Sequence, residues 1–218
     1  MVFSRQKCAR IPNLPSRKVL SFGWGNQENF MPKIVILAGA NGAGKSTIAP
    51  YLLSQSEVFL NADDMAKALK AEGNPSPDFA AGRLLLKRWD ELEKAGESFA
   101  VETTLATRTF APRIEQMQSR GYRFHLIFLY LADAETALQR VQERGRHGGH
   151  VIPEAVIRRR YAAGLSNFVT LYRPIANTWR IMDNTDPKLP VLIARGSQTV
   201  KQNHLWKEIQ QTWKQQAS

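Results

Sequence analysis

Cysteine is almost missing from this chain, with Cys8 the single one in 218 residues. That excludes a disulfide framework and any Cys/His zinc pattern, and a reducing compartment is the simple setting. Long apolar runs are missing too. The longest, Ile34–Ala38 and Leu126–Ala132, fall far short of the roughly 20 residues that span a bilayer, so a soluble, cytoplasmic protein with no membrane partner is expected. Repeats and low-complexity tracts are absent. Acidic residues are scarce, 19 Asp and Glu against 30 Lys and Arg, for a net charge of +11. Such an excess is the usual electrostatic footprint of nucleic-acid binding, but its distribution weakens that reading. Residues 1–30 carry five basic residues and one acid, residues 186–218 five and two, and the long middle, 31–185, twenty and sixteen. The part that would fold is only mildly basic. Its excess suits polyanionic phosphates and does not require nucleic acid as a partner.

What is present is enough apolar residue, 43%, to bury the core of one domain. Residues 1–30 have scattered Arg and Lys, Pro12, Pro15, Gly23 and Gly25, and no sustained apolar period. They read as a disordered or non-native extension, with Met31 a candidate start of a shorter protein and a transit peptide the less favoured reading. From residue 33 onward short apolar runs alternate with helical patterns, which is the sign of a parallel sheet wrapped by helices. The strands read are 33–38, 57–61, 98–102, 123–131 and 179–183, with 190–195 a sixth. The helices read are 45–54, 64–71, 77–95, 109–120, 133–144 and 153–172, with a last one at 201–216. The expected fold is therefore an α/β one over 31–218, with helices around a mainly parallel sheet of five or six strands. Ligands of such sheets bind at the carboxyl ends of the strands.

The first strand runs directly into Gly39-Ala40-Asn41-Gly42-Ala43-Gly44-Lys45-Ser46-Thr47. This is G-x-x-x-x-G-K-[ST] in its required context of buried strand, glycine-rich turn and helix start. Gly39, Gly42 and Gly44 allow successive N–H groups to converge on one anion, and the helix start adds its own unpaired N–H groups and dipole. In that pattern Lys45 reaches the β- and γ-phosphates and Ser46 holds Mg²⁺, so ATP or GTP with Mg²⁺ is the expected cofactor.

The other strand ends supply candidate chemistry. After the second strand come Asn61-Ala62-Asp63-Asp64. Asp63 is placed to take a proton from an acceptor hydroxyl or to orient Mg²⁺, with Asp64 the substitute; helix capping by Asp63 is the plain alternative. After the third come Glu102-Thr103-Thr104. A glutamate ending a buried strand needs a cation, a hydroxyl or metal-bound water, and the two threonines either bind substrate or cap the turn. Asn184 and Thr185 after the fifth strand either border the adenine or make a turn. Between two helices lies a segment from Arg144 through Gly145-Arg146-His147-Gly148-Gly149-His150 to Pro153, built like a lid over 144–153. Arg144 or Arg146 could then neutralise charge on the transferring phosphoryl group. Arg140 stands one helical turn before Arg144 on the same face. Of Arg158, Arg159 and Arg160, at most one or two can face the site.

Taken together, Gly39–Thr47, Asn61-Ala62-Asp63, Glu102-Thr103-Thr104-Leu105, Gly148-Gly149-His150-Val151-Ile152-Pro153 with Arg158–Tyr161, and Asp183-Asn184-Thr185 resemble the zeta-toxin-like kinases, in the same order and over about residues 31–185. The resemblance implies phosphoryl transfer from ATP to a small-molecule hydroxyl acceptor, which in zeta toxins is the 3′-hydroxyl of a UDP-N-acetyl amino sugar, and a small antitoxin as partner. It implies a three-layer α/β sandwich of the phosphate-loop nucleotide-kinase type, Asp63 as general base, Lys45 and Ser46 as phosphate and magnesium ligands, and Glu102 on the substrate side; Asp64, Thr103, Thr104, His150 and Arg158 are further candidates for the substrate side. The lid departs from the toxins in being shorter and glycine-rich, the compact branch of the family. Arg144 and Arg146 are both candidates for one of the toxins' two lid arginines, and the second falls near His150. Two other readings stand beside the kinase: a regulatory phosphate-loop ATPase in which Glu102 positions water, and a nucleic-acid 5′-kinase prompted by the basic ends.

Overall fold

The computed structural model describes residues 31–53, 58–146, 152–186 and 190–196, with Ile209 and Gln211. The extension over 1–30, the lid residues 147–151 with His150, and nearly all of the helix read over 201–216 lie outside them. Strands β1 (Lys33–Gly39), β2 (Val58–Leu60), β3 (Phe99–Thr103), β4 (Arg123–Tyr130), β5 (Thr178–Asp183) and β6 (Val191–Gly196) form one sheet in the order β2-β3-β1-β4-β5-β6. Every pairing is parallel except β5 with β6. The expected sheet is thus borne out, with the sixth strand antiparallel.

Burial on both faces explains the composition of β1. Ile34, Ile36 and Ala38 pack with Trp89, Phe99, Phe124 and Phe128 on one side, and Val35 and Leu37 pack with Ile48, Ile127 and Leu129 on the other. A strand covered twice reads as a continuous apolar run rather than an alternating one. Helices α1 (Lys45–Leu52) and α5 (Ala134–Arg146) cover the second face; α3 (Pro77–Ala95) and α4 (Phe110–Ser119) cover the first. Trp89 of α3 anchors that layer. It is fully buried, its ring meets Phe99 at 5.5 Å and Phe110 at 5.0 Å, and its indole N–H donates to Met117 Sδ. Burying such a side chain contributes about 1.5–3 kcal/mol.

Helix α6 (Glu154–Asn167) joins the two layers. Its Ile157 belongs to the second-face core, whereas Leu165 and the following Phe168 belong to the first-face core. The helix therefore passes over the strand ends. The 153–172 helix read from sequence resolves into α6, a π-helical turn at Phe168–Tyr172 and a short α7 (Arg173–Ile175).

Two helix boundaries differ from the sequence reading in ways that matter for the site. Helix α2 (Ala62–Ala71) starts two residues early because Asn61 is its N-cap, its Oδ1 accepting from Asp63 N–H at 2.9 Å. Asp63 is therefore not the cap; it lies inside the first turn, where a carboxylate favours the dipole. Helix α5 continues to Arg146, so Arg144 and Arg146 lie in its last turn, not in a glycine loop. Among the described residues, no helix is long and apolar enough to cross a membrane.

Candidate functional site

With β1 between β3 and β4, the loop leaving β1 sits at the centre of the sheet's carboxyl edge. Gly42 and Gly44 take φ 80° and 81°, left-handed values that open the turn into α1. Gly44 is the N-cap of α1, and a Cβ on it would stand 2.7 Å from Asn184 Nδ2. That amide donates to Ala43 O at 2.8 Å. Asn184 is thus buried against the loop as a strut. Arg140 of α5 completes the support, donating to Asn184 O at 2.9 Å and to Thr185 O at 2.7 Å. Thr185 Oγ1 in turn accepts from Ala132 N–H. Sequence reading noted Arg140 only as a neighbour of Arg144; its spacing to the loop carbonyls was the information that periodicity lacks.

Lys45 Nζ is buried. It donates to Gly39 O and Ala40 O at 3.0 Å each and lies 3.8 Å from Glu102 Oε1. Burial lowers its pKa, opposed by the charges of Glu102 and Asp63. Glu102 lies at the penultimate position of β3, and its Oε2 accepts from Ser46 Oγ at 2.8 Å and from Asn61 Nδ2 at 3.1 Å. Burial raises its pKa, opposed by Lys45 and by the Ser46 hydrogen bond. The costly buried carboxylate expected there has the cation and hydroxyl that it needs. Three strand ends meet in this one cluster: Lys45 and Ser46 after β1, Asn61 after β2 and Glu102 on β3.

Two cavities adjoin the cluster. One, of about 670 Å³, is lined by Asn41, Gly42, Gly44, Lys45, Ser46 and Thr47, with Asp64, Lys67, Lys70 and Arg144 around it. The remaining loop residues Gly39, Ala40 and Ala43 face inward, Ala40 and Ala43 being buried. The other cavity, of about 530 Å³, has an apolar wall of Phe79, Leu85, Leu86 and Phe110, and polar groups from Thr103, Thr104, Thr107, Arg83 and Arg160. Asn41, Lys45, Asp63, Asp78 and Glu102 line both.

This placement sorts the remaining candidates. Asp64 borders the phosphate-loop cavity and is ion-paired with Lys67 at 3.0 Å. Arg144 and Arg146 are both exposed; Arg144 lines that cavity and Arg146 lines neither. Arg158 is exposed and held by Glu154 and Glu135; Arg160, two residues on, is the arginine of that run that enters the second cavity. Thr103 and Thr104 both line it, and Thr103 Oγ1 also accepts from Leu105 N–H. Asp78, Phe79 and Arg83 were missed because nothing in an amphipathic helix distinguishes a residue that faces a cavity from one that faces solvent. Among the described residues no group of three or more His, Cys, Asp or Glu could hold a metal. Ser46 and Glu102 provide only hard oxygen donors, which suits an ion that completes its shell with phosphate and water.

Solved structures share this fold. The AvrRxo1-ORF1:-ORF2 complex with ATP superposes with a TM-score of 0.67 at 19% identity, over 84% of this chain and 64% of that one; this chain thus spans less than two thirds of that protein. A chain of the PezAT chromosomal toxin-antitoxin system of Streptococcus pneumoniae aligns with a TM-score of 0.55 at 15% identity, over 90% and 89% of the two chains. At these identities the likeness is one of fold. An uncharacterised protein of Haemophilus influenzae is 26% identical over 129 residues, which is 59% of this chain and 92% of its own. The family model described as Zeta toxin matches residues 24–189, and the chain belongs to that zeta toxin family.

Proposed function

We propose that the protein is an ATP-dependent kinase that phosphorylates a hydroxyl of a small molecule, a UDP-N-acetyl amino sugar as in zeta-type toxins. The observation that carries this reading is the meeting of two cavities at Lys45, Asp63 and Glu102. A glycine-rich phosphate cradle on one side and a mixed apolar and cationic cavity on the other give donor and acceptor a shared boundary, which an in-line transfer needs.

In the proposed reaction the acceptor oxygen attacks the γ-phosphorus, the bond to the β,γ-bridging oxygen breaks, and ADP leaves. Asp63 takes the acceptor's proton. Lys45 exchanges its carbonyl partners for phosphate oxygens, and Arg144 offsets charge on the transferring group. Magnesium would be held by the Ser46 hydroxyl, with Glu102 beside it, and would supply neutralisation of the phosphate oxygens. Loop amides at the start of α1 complete the phosphate site. In the acceptor cavity Arg83 and Arg160 suit a diphosphate, and Phe79, Leu86 and Phe110 suit a base or an acetyl group.

An antitoxin-type protein partner is part of the proposal, since two of the similar structures are described as a toxin-antitoxin system and as a two-protein complex with ATP. The test is mass spectrometry of the protein incubated with ATP, Mg²⁺ and either UDP-N-acetylglucosamine or a metabolite extract. A product heavier by one phosphate is expected. ATP consumption at an unchanged rate without acceptor, and no phosphorylated product, would favour the ATPase reading instead.

A further inference from the structure

Leu105 is the one non-glycine residue with positive φ among the described residues, at 60°, and it is fully buried. That conformation is disfavoured for a residue with a branched side chain and persists only where its surroundings over-determine it. It occurs in the loop after β3 that carries Thr104 and Thr107 into the acceptor cavity beside Glu102 and Thr103.

The surroundings that hold it are one continuous stretch of helix. Asn167 Nδ2, on the last residue of α6, donates to Leu105 O at 2.9 Å in a buried hydrogen bond. One turn earlier Gly164 packs against Thr104 O so closely that a Cβ would collide with that carbonyl. Tyr172, at the end of the π-helical turn, donates its hydroxyl to Thr107 O at 2.7 Å. Residues five apart in a regular α-helix diverge by about 140°. The i→i+5 closure of a π-turn brings them closer to alignment, so the π-turn at Phe168–Tyr172 lets Asn167 and Tyr172 reach the same loop. The helix that makes these contacts also brings Arg160 to the acceptor cavity.

We propose that Asn167 is a positioning residue for the acceptor side: together with Gly164 and Tyr172 it locks the 104–107 loop that follows β3, fixing Thr104 and Thr107 at one spacing from Glu102 and Arg160. Its catalytic consequence rests on the kinase reading above; the hold itself does not. Asn167→Ala removes the donor to Leu105 O, and Tyr172→Phe removes only the hydroxyl that holds Thr107 O. The loop, free to leave the left-handed conformation, then loses its register with Arg160, while the phosphate loop is untouched.

Hydrogen exchange of the full-length variants separates these parts. About tenfold faster exchange is expected in the 102–107 peptide of Asn167→Ala, with a smaller change in Tyr172→Phe and none in β1 or the phosphate loop. Binding of a fluorescent ATP analogue should keep its Kd within about twofold. In turnover of ATP with UDP-N-acetylglucosamine, kcat should fall about tenfold with KM for ATP unchanged. Unchanged exchange at 102–107 in both variants overturns the proposal, as does loss of protection throughout the sheet or a parallel loss of ATP affinity. A wild-type protein inert toward UDP-N-acetylglucosamine counts against that acceptor alone, and the exchange measurement still decides the hold.

Discussion

Gly44→Ala places two costs on one methyl group. Gly44 has φ 81°, and a Cβ in the left-handed region costs roughly 1–2 kcal/mol. The new Cβ would also lie 2.7 Å from Asn184 Nδ2, too close for the amide to keep its 2.8 Å hydrogen bond to Ala43 O. Losing a buried hydrogen bond of this kind removes about 1 kcal/mol net. The sum, about 2–3 kcal/mol, corresponds in a chain of this size to a Tm lower by roughly 4–12 °C. The two costs separate in a double-mutant cycle, because Asn184→Ala removes the obstacle together with the strut. The double variant should be less destabilised than the sum of the singles by about 1 kcal/mol. Thermal denaturation of the four proteins reads this directly, and titration with a fluorescent ATP analogue should show about tenfold weaker binding for Gly44→Ala as the loop amides shift. Strictly additive singles, or a Gly44→Ala protein melting within about 1 °C of the wild type, would refute Asn184 as the strut of the phosphate loop.

Asp63→Asn should lower phosphoryl transfer by about 10²–10⁴-fold while ATP still binds; a variant with full activity removes Asp63 as the base. Glu102 gains its proton at a higher pH than an ordinary glutamate because burial raises its pKa. Activity that needs its charge therefore fades as pH falls through that raised value, and Glu102→Gln should lose this acid limb along with most of its rate; a pH profile unchanged in shape counts against the role. Arg160→Ala should raise KM for the acceptor by roughly ten- to a hundredfold, since a cation contact to a charged group is worth about 1.5–3 kcal/mol, whereas Arg158→Ala, whose side chain is bound by Glu135 and Glu154, should leave it unchanged. Equal kinetics for the two arginine variants would remove the distinction drawn between them.

Much of the fold was legible because its elements carry strong local signals. A doubly covered strand is a continuous apolar run, and β1 and β4 were readable as such to within a residue or two. The phosphate loop was legible for a different reason: its function is performed by backbone, and the backbone conformation it requires dictates glycine at fixed spacing. The Asn61 cap was misjudged because Asn61, Asp63 and Asp64 are all good caps, and the choice among them depends on where β2 stops. The arginines were least legible. A long side chain on a helix can reach solvent, a carbonyl or a cavity without any change in pattern, and Arg140, Arg144, Arg146, Arg158 and Arg160 ended in different surroundings.

The parallel strand-helix alternation, the phosphate cradle and the carboxylates after β2 and on β3 are written in short-range spacing and local backbone preference, and so can be read without a structure. Tertiary structure alone decided which groups share a site. Bringing β1 between β3 and β4 set Lys45 3.8 Å from Glu102 across 57 residues of chain, and passing α6 over the strand ends turned Arg160 inward while Arg158 stayed on the surface. Long-range proximity of this kind is a property of strand order and helix path, which depend on how the whole apolar surface is buried rather than on any neighbouring residues.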